Sequence, residues 1–466
     1  MLPKKDVLLI KHLLVNKKTD EIKSILANLH PVDIAQILAD IKKENQKLFL
    51  RLMDTAKAAE VIEEFEPSER LALLSQMTES ETIKILENMS VDEMIDMLQK
   101  MPSTEVKRVL SKLPSEYYDE LQSLLELAHD TAGGLMTTDY VYIFSHVDVS
   151  HAIEDVRKFG RDAETIYYLY VVDENKQLLG VLSLRELISA PRIKKIEQIM
   201  HKNVVSVDVG LDQEEVAKII SKYSLLAVPV VNENNRLLGI VTVDDALEVI
   251  EMESTEDIYR LAGIVFEEEL MTSSVFSASR KRVFWLIICL LGSMLSGLVI
   301  KCYSHVIETF VAISFFIPVL MATGGNVGTQ SLALSVRGLT TGEVNKKNFL
   351  QFLGGETLAG LQIGIICGLI LGLVAFIWQG DISLGLAVGF SMCFALMLSA
   401  FVGIFVPMIF QVLNIDPAVA SGPFITTVID VCALLIYFAF SIFFINQFSA
   451  IGVHYYLWKH LQGVAL

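Results

Sequence analysis

Five apolar stretches fill the last part of the sequence, at about 283–300, 307–325, 354–378, 384–413 and 421–446. Each is long enough to cross a hydrocarbon core, which takes roughly 20 residues. A chain with such stretches folds in a bilayer, its backbone polar groups paired within helices. Basic residues set the orientation. Arg280, Lys281 and Arg282 precede the first stretch, and Arg337, Lys346 and Lys347 lie between the second and third, which puts those flanks in the cytoplasm. The first loop and the loop holding Asp381 then face outward. So does the C-terminus, after an odd number of crossings.

Charge divides the chain at the same place. Residues 276–466 carry eight Lys/Arg and six Asp/Glu, which leaves residues 1–275 with 30 Lys/Arg against 49 Asp/Glu in a chain of net charge −17. The front of the molecule is therefore a soluble, strongly acidic body that attracts cations and repels nucleic acid and anionic lipid. A nucleic-acid partner is excluded on that ground. The apolar run Val7–Ile10 ends at Lys11, too short for a signal peptide, so the acidic body is expected in the cytoplasm. All five cysteines (Cys289, Cys302, Cys367, Cys393, Cys432) lie in the apolar part, and the nine histidines show no paired ligand spacing. Neither a zinc framework nor a disulfide scaffold is implied.

Two repeats organise the acidic body. Phe65, Met77, Met89, Met101 and Leu113 recur every 12 residues, and Thr78 with Glu81 and Ser90 with Glu93 fit the capping box that opens a helix. One short helix and one turn fill such a unit, and stacked units make an all-α superhelical solenoid. Leu29-His30-Pro31 reads as an earlier unit of the same kind. Further on, Val171-Val172-Asp173-Glu174-Asn175 and Leu178-Leu179-Gly180-Val181-Leu182-Ser183 recur 59 residues later as Val230-Val231-Asn232-Glu233-Asn234 and Leu237-Leu238-Gly239-Ile240-Val241-Thr242. Each copy predicts a strand, a polar turn and a strand running into a helix. The pair resembles tandem CBS modules. The resemblance implies an adenine-nucleotide site at Thr242 and Asp245, while Glu186 replaces the corresponding Asp in the first copy. An acidic connector follows, with Glu251, Glu253, Glu256, Asp257 and Glu267-Glu268-Glu269.

Polar residues in the apolar part carry the chemistry. Pro318 and Gly324-Gly325-Asn326-Val327-Gly328-Thr329-Gln330 predict a second span whose helix is broken or loosened, exposing carbonyls to a wet cavity. Asn326 and Gln330 fall four residues apart on one face. Gly360, Gly364, Gly368 and Gly372 line one face of the third span and read as helix packing. Asp430 lies about ten residues inside the fifth span, where an ionised carboxylate costs about 2.5–3.5 kcal/mol, and no base lies deep in any span. With Asp416 at the cytoplasmic mouth of that helix and Thr426 and Thr427 before Asp430, the path is lined by oxygen alone, which suits a hard cation.

The segments Gly324-Gly325-Asn326-x-Gly328-x-Gln330-Ser331, Asp416-Pro417-Ala418, Ser421-Gly422-Pro423 and Asp430, with the order of parts, resemble the MgtE family of magnesium channels. The resemblance implies a multidomain, homodimeric protein of the cytoplasmic membrane. Its parts would be a helical solenoid (1–130), two α/β CBS modules (137–196 and 197–257), an acidic connector or plug helix (251–280), a five-helix transmembrane domain (281–448) and a tail (449–466). It also implies a pore on the twofold axis, with Asp430, Asp416 and Asn326 as pore ligands of hydrated Mg2+. Cytoplasmic Mg2+ would close the pore by bridging Asp92 and Asp96, Glu214, Asp245 and Glu248, and Glu253, Glu256 and Asp257, with ATP as a modulator. Ser224 stands where the family can carry an acidic ligand, and Cys289 where a polar amide is expected. A transporter of Co2+ or Mn2+ and a non-transporting membrane nucleotide sensor are the alternatives. A CBS-regulated anion channel would need bases along the pore, and an enzyme would need a nucleophile–base constellation that the chain lacks.

Overall fold

The computed structural model describes residues 10–463 except 11, 15–17, 102, 113–120, 123, 162, 265–274, 346 and 414. It divides into two compact units, Met1–Met252 and Glu253–Leu466.

The first unit opens with helices that start every 12 residues: α1 Thr19–Leu26, α2 Pro31–Ala39, α3 Lys43–Leu50, α4 Thr55–Glu63, α5 Pro67–Leu74, α6 Glu79–Leu86, α7 Val91–Gln99 and α8 Ser103–Leu110. The repeat thus begins well before the Phe65 unit from which the side-chain pattern is legible. Two turns of helix are marginal alone, and these are held by burying Ile34, Ile37, Leu38, Phe49, Val61, Ile62 and Leu98. Next-but-one neighbours pack together: α2 on α4, α4 on α6, and α5 on α7. Proline fills a first-turn position of α2 and α5, where its missing N–H has no cost.

The two predicted capping boxes differ in outcome. Glu81 accepts from the Thr78 N–H at 2.8 Å and its hydroxyl at 2.7 Å. At Ser90 the local box does not form. The Ser90 N–H and hydroxyl instead donate to Glu63, at 2.6 and 3.2 Å, because Glu93 is drawn to Arg70. Leu113, the last position of the predicted repeat, lies outside the described residues.

The rest of this unit is a pair of α/β modules. The first has α9 Ala132–Leu135, β1 Tyr140–Phe144, α10 Val149–Phe159, β2 Thr165–Val172, β3 Leu178–Ser183 and α11 Leu184–Ser189. The second has β4 Val207–Asp208, α12 Gln213–Tyr223, β5 Ala227–Val231, β6 Leu237–Thr242 and the start of α13 Val243–Leu261, whose residues from Glu253 onward belong to the second unit. In both sheets a parallel pair is followed by an antiparallel one, and Val171 opposite Gly180 matches Val230 opposite Gly239. The sequence repeat is therefore a repeat of register. Its turns agree as well. Asp173 accepts from the Asn175 and Gln177 amides, and Asn232 from those of Asn234 and Arg236, with Lys176 and Asn235 both at positive φ. The modules exchange leading segments, since Thr137 bridges to Ile240 and His201 to Val181. Glycine is required at these crossings. A β-carbon at Gly239 would lie 2.7 Å from the Thr137 carbonyl oxygen, and one at Gly180 2.9 Å from that of His201.

The second unit contains α14 Val275–Cys302, α15 Ser304–Thr309, a 3-10 turn Val311–Phe316, α16 Ile317–Thr340, α17 Phe349–Gln379, α18 Ile382–Val412, a 3-10 turn Pro417–Val419 and α19 Gly422–Gly463. Among the described residues, five helices are long and apolar enough to cross a membrane. In the second of these the helix proper begins at Ile317, further along the chain than the predicted 307–325. Helix α18 is central, packed on α16, α17 and α19, whereas α14 packs chiefly on α19. The glycines of α17 meet α18 closely. A β-carbon at Gly364 would lie 2.5 Å from the Cys393 carbonyl oxygen, and one at Gly372 2.7 Å from that of Gly385. The buried Tyr437 hydroxyl donates to the Ile313 carbonyl at 2.8 Å, fixing α19 to the turn that leads into α16.

The predicted break in the second span is not there. Helix α16 is continuous from Ile317 to Thr340, with Pro318 in its first turn, where proline starts a helix instead of kinking it. The glycines are a packing face. A β-carbon at Gly324 would lie 3.2 Å from Ile429 Cγ2 and one at Gly325 3.2 Å from Thr426 Cγ2, while one at Gly328 would overlap Ile429 Cδ1. They let α19 lie close against α16.

Candidate cation path and carboxylate cluster

Within the second unit, the face of α16 opposite its glycines is uncovered, and two amides stand on it among apolar residues that include Val319 and Leu334. Gly324, Gly325, Val327 and Gly328 are buried, while Ala322, Asn326, Gln330 and Ala333 are exposed. A lipid-facing stripe would not place two amides there, since each leaves donors and acceptors unpaired in hydrocarbon. On α19, Ile425 and Ile429 are buried and Asp430 is half-buried. Among the described residues the Asp430 carboxylate has no hydrogen-bond or ion-pair partner. One turn earlier Thr426 and Thr427 donate to the Pro423 carbonyl at 3.0 and 2.8 Å, so their oxygen lone pairs stay available. Gly292 of α14 makes room for the methyl of Thr427.

Asp416 is held differently. Its Oδ1 accepts the Ala418 N–H at 2.8 Å, capping the 3-10 turn ahead of α19. Its Oδ2 is ion-paired with Arg260 near the end of α13. The same guanidinium pairs with Glu256, so two predicted ligands share one arginine. Glu253 and Asp257 lie on α13, which continues without a break from the second α/β module. Glu267, Glu268 and Glu269 lie outside the described residues.

Within the first unit, carboxylates from the helical repeat and from both modules crowd together. Asp92 on α7 has an Oδ1 sealed from solvent with no hydrogen-bond partner. Burial pushes it well above the usual carboxylate range, helped by the charges of Asp245, Glu93 and Glu164. Glu93 rises to about 7, because burial outweighs the neighbouring Arg70 and Asp96 and Glu248 add to it. Asp245 is raised by burial despite accepting from the Thr242 hydroxyl at 2.6 Å, and Glu248 and Glu164 are raised by burial first and by acidic neighbours after it. Arg70 is 6% exposed. It pairs with Glu93 and donates to the Phe65 and Glu63 carbonyls at 2.5 and 2.6 Å.

Of the predicted sensor residues, Asp92, Asp96, Asp245 and Glu248 thus meet electrostatically. Asp96 also lies 3.6 Å from His129. Glu214 sits on α12, paired with Lys218 at 3.0 Å. Ser224 ends that helix in the left-handed conformation, at φ 51°. Glu186 caps α11 through Ser183 and lies 2.8 Å from His201 Nε2. Glu93, Glu164 and Arg70 belong to the cluster and escape the sequence reading. Among the described residues no three His, Cys, Asp or Glu side chains converge closely enough to hold a bare metal ion. The orphaned oxygen of Asp92 and the mutually elevated acids nonetheless fit a hard cation, which would supply the missing positive charge.

Comparison with known proteins matches these regions one by one. The family model described as MgtE, divalent cation transporter, covers residues 317–440, the MgtE intracellular N domain residues 29–130, and the CBS domain residues 132–192 and 196–252. The magnesium transporter MgtE of Bacillus subtilis is 36% identical over 445 residues, 95% of this chain and 98% of that protein. The chain belongs to the MgtE family. The magnesium transporter MgtE of Thermus thermophilus is 37% identical over 424 residues, covering 90% of this chain and 94% of the relative. Among solved structures, the soluble part of a magnesium transporter is 34% identical, with a TM-score of 0.51, over 54% of this chain and 99% of that one. The cytosolic domain of the Mg2+ channel MgtE in complex with ATP is 37% identical, TM-score 0.51, over 52% of this chain and 99% of that one. MgtE proteins are membrane transporters and not enzymes. The transporter match runs from α16 into α19 and contains Asn326, Asp416 and Asp430, while Asp92 and Asp96 fall in the N domain and Asp245 and Glu248 in the second CBS domain.

Proposed function

We propose that this chain is a Mg2+-selective channel of the cytoplasmic membrane, with its N-terminal body in the cytoplasm and its C-terminus outside. The observation that carries the reading is the set of uncovered polar groups on the membrane helices: Asn326 and Gln330 exposed on α16, and Asp430 on α19 without a partner among the described residues. In a homodimer those groups face each other across a twofold axis and enclose a wet path. Two Asp430 carboxylates then attract a divalent ion. Because Mg2+ gives up its first-shell waters reluctantly, it is held through them. Oxygen-only lining supports Mg2+ over softer metals, and the relatives named as magnesium transporters support it over Co2+ or Mn2+.

Cytoplasmic Mg2+ closes the path by neutralising the cluster around Asp92, Asp96, Asp245 and Glu248, together with Glu214 and with Glu253, Glu256 and Asp257 on the connector. The buried orphan oxygen of Asp92 supports this sensor. ATP modulates the gate at Thr242 and Asp245, a reading supported by the ATP complex of the related cytosolic domain.

The test is flux into liposomes carrying the purified full chain. Mg2+ should enter, and Asp430→Ala should lose selective entry by more than about tenfold, equivalent to 1.4 kcal/mol. Unchanged Mg2+ flux and unchanged discrimination against Co2+ and Mn2+ in Asp430→Ala would remove Asp430 from the path.

A further inference from the structure

We infer that Arg260 is a tethered cation seated on the mouth carboxylate Asp416, where it competes with the ion that the path conducts. The inference rests on reading α16 and α19 as that path. Arg260 enters no ligand set, yet the fold goes to some length to put it in place. Leu261, the next residue, packs with Leu332, Val336, Val402, Ala418, Ile425 and Ile429, so the end of α13 is anchored among the membrane helices of its own unit. The helix then stops at Gly263, at φ 74°, whose N–H returns to the Arg260 carbonyl at 2.9 Å while Ile264 returns to Tyr259 at 2.9 Å. Room there is scarce. A β-carbon at Gly263 would lie 3.4 Å from Pro423 Cγ, and one at Gly422 3.3 Å from the Leu261 carbonyl oxygen.

Fixed in this way, the guanidinium meets Asp416 through one terminal nitrogen and Glu256 through the other. The second oxygen of Asp416 is committed to the Ala418 amide. The oxygen that Arg260 covers is therefore the one left for a cation. Arg260 and Asp416 are 34% and 32% exposed, so water and ions reach the pair and its strength is modest. A guanidinium is weakly hydrated and forked, which lets it bridge two acids where a lysine ammonium would serve one. The result is a built-in monovalent competitor: an ion arriving at Asp416 has to displace or share it. Removing Arg260 should make the mouth more attractive to Mg2+.

The test uses the full chain in liposomes, with initial Mg2+ flux measured against Mg2+ supplied on the side away from the acidic body, which is kept in chelator so that the gate stays open. Arg260→Ala is expected to lower the half-saturating Mg2+ concentration by about threefold, the size of an exposed ion pair. Millimolar methylguanidinium should reverse that shift, which a merely structural role of Arg260 would not allow. Arg260→Lys should give an intermediate value. In an Asp416→Asn background, neither Arg260→Ala nor methylguanidinium should change half-saturation further. An unaltered half-saturation in Arg260→Ala, or the same shift with Asp416→Asn present, overturns the inference while wild-type Mg2+ flux leaves the channel reading standing. Absent wild-type flux would instead sink the channel reading.

Discussion

In the first unit Asp92, Glu93, Glu164, Asp245 and Glu248 crowd together with Arg70 as their buried guanidinium, whereas in the second Asp416 has Arg260 on one oxygen and Asp430 has no partner among the described residues. The two arrangements suit different tasks. Crowded acids destabilise their own packing and so respond to anything that adds positive charge, proton or metal alike. Within its own chain, Asp430 has no described acid beside it on the membrane helices to repel. Its cost is desolvation, and a hydrated divalent ion relieves it without bringing the surrounding helices together. Under the proposed function, one unit is altered by a cation and the other lets one pass.

The largest expected effect comes from upsetting the close approach that positions Asp430. A side chain at Gly328 would overlap Ile429, the residue next to Asp430. Gly328→Val should cost about 3 kcal/mol by overpacking and abolish Mg2+ flux. Gly328→Ala combined with Ile429→Ala should recover much of both, since the second change returns the space. Melting in detergent and liposome flux measure the two effects, and a double variant no better than Gly328→Val would show that the glycine serves something other than room for α19.

The cluster of the first unit should titrate. A carboxylate whose pKa is raised in the packed form holds a proton there that it gives up when the packing opens. Packing is therefore favoured at low pH. It loses that contribution as pH rises from the ordinary carboxylate range through about 7, the value reached by Glu93. Without Mg2+, the melting temperature of the full chain should fall by about 5 °C between pH 5.5 and 8. With millimolar Mg2+ the fall should largely vanish, because the metal displaces the protons. A melting temperature equally pH-dependent in both conditions would separate the acid cluster from metal sensing.

Asp92→Asn is the sharper, smaller version of that experiment. It removes one charge from the most buried position and keeps the shape. The melting temperature in chelator at pH 8 should rise by roughly 2–4 °C, and the additional stabilisation by Mg2+ should shrink. If the variant were less stable than wild type in chelator, Asp92 would be a structural acid with an unseen partner and not a source of repulsion.

How much of this could be read from the residues alone follows from the range of the forces involved. The 12-residue repeat, the 59-residue repeat and the five apolar stretches are local patterns, and the helices and strands follow them closely, down to the matching positive φ of Lys176 and Asn235. Asp430 was legible because a charge inside an apolar run is conspicuous by itself. Glu164 was not, because its place beside Asp245 arises only when the two modules pack. Arg70 and the Asp416 contact of Arg260 escape for the same reason, since Glu93 and Asp416 lie far in sequence from them, while the nearby Glu256 reads only as an ordinary helix pair. The Pro318 and glycine segment misled because proline and glycine loosen a helix by local rules, and only the neighbouring α19 shows that the glycines make space.

The smallest expected effect tests that distinction between local and distant partners on a single amide. The Ser90 N–H at the start of α7 is satisfied by Glu63, 27 residues earlier, and not by its own Glu93. Burial already raises the pKa of Glu63 and so favours its neutral form. Glu63→Gln keeps the accepting oxygen and should cost under about 0.5 kcal/mol. Glu63→Ala leaves the amide without its partner and should cost about 1–2 kcal/mol. The two denaturation midpoints, measured side by side, decide the matter. If glutamine costs as much as alanine, the charge of Glu63 holds α4 to α7, through Arg70. If both are neutral, Glu93 has swung back to its own helix and α7 keeps a capping box that Arg70 had only borrowed.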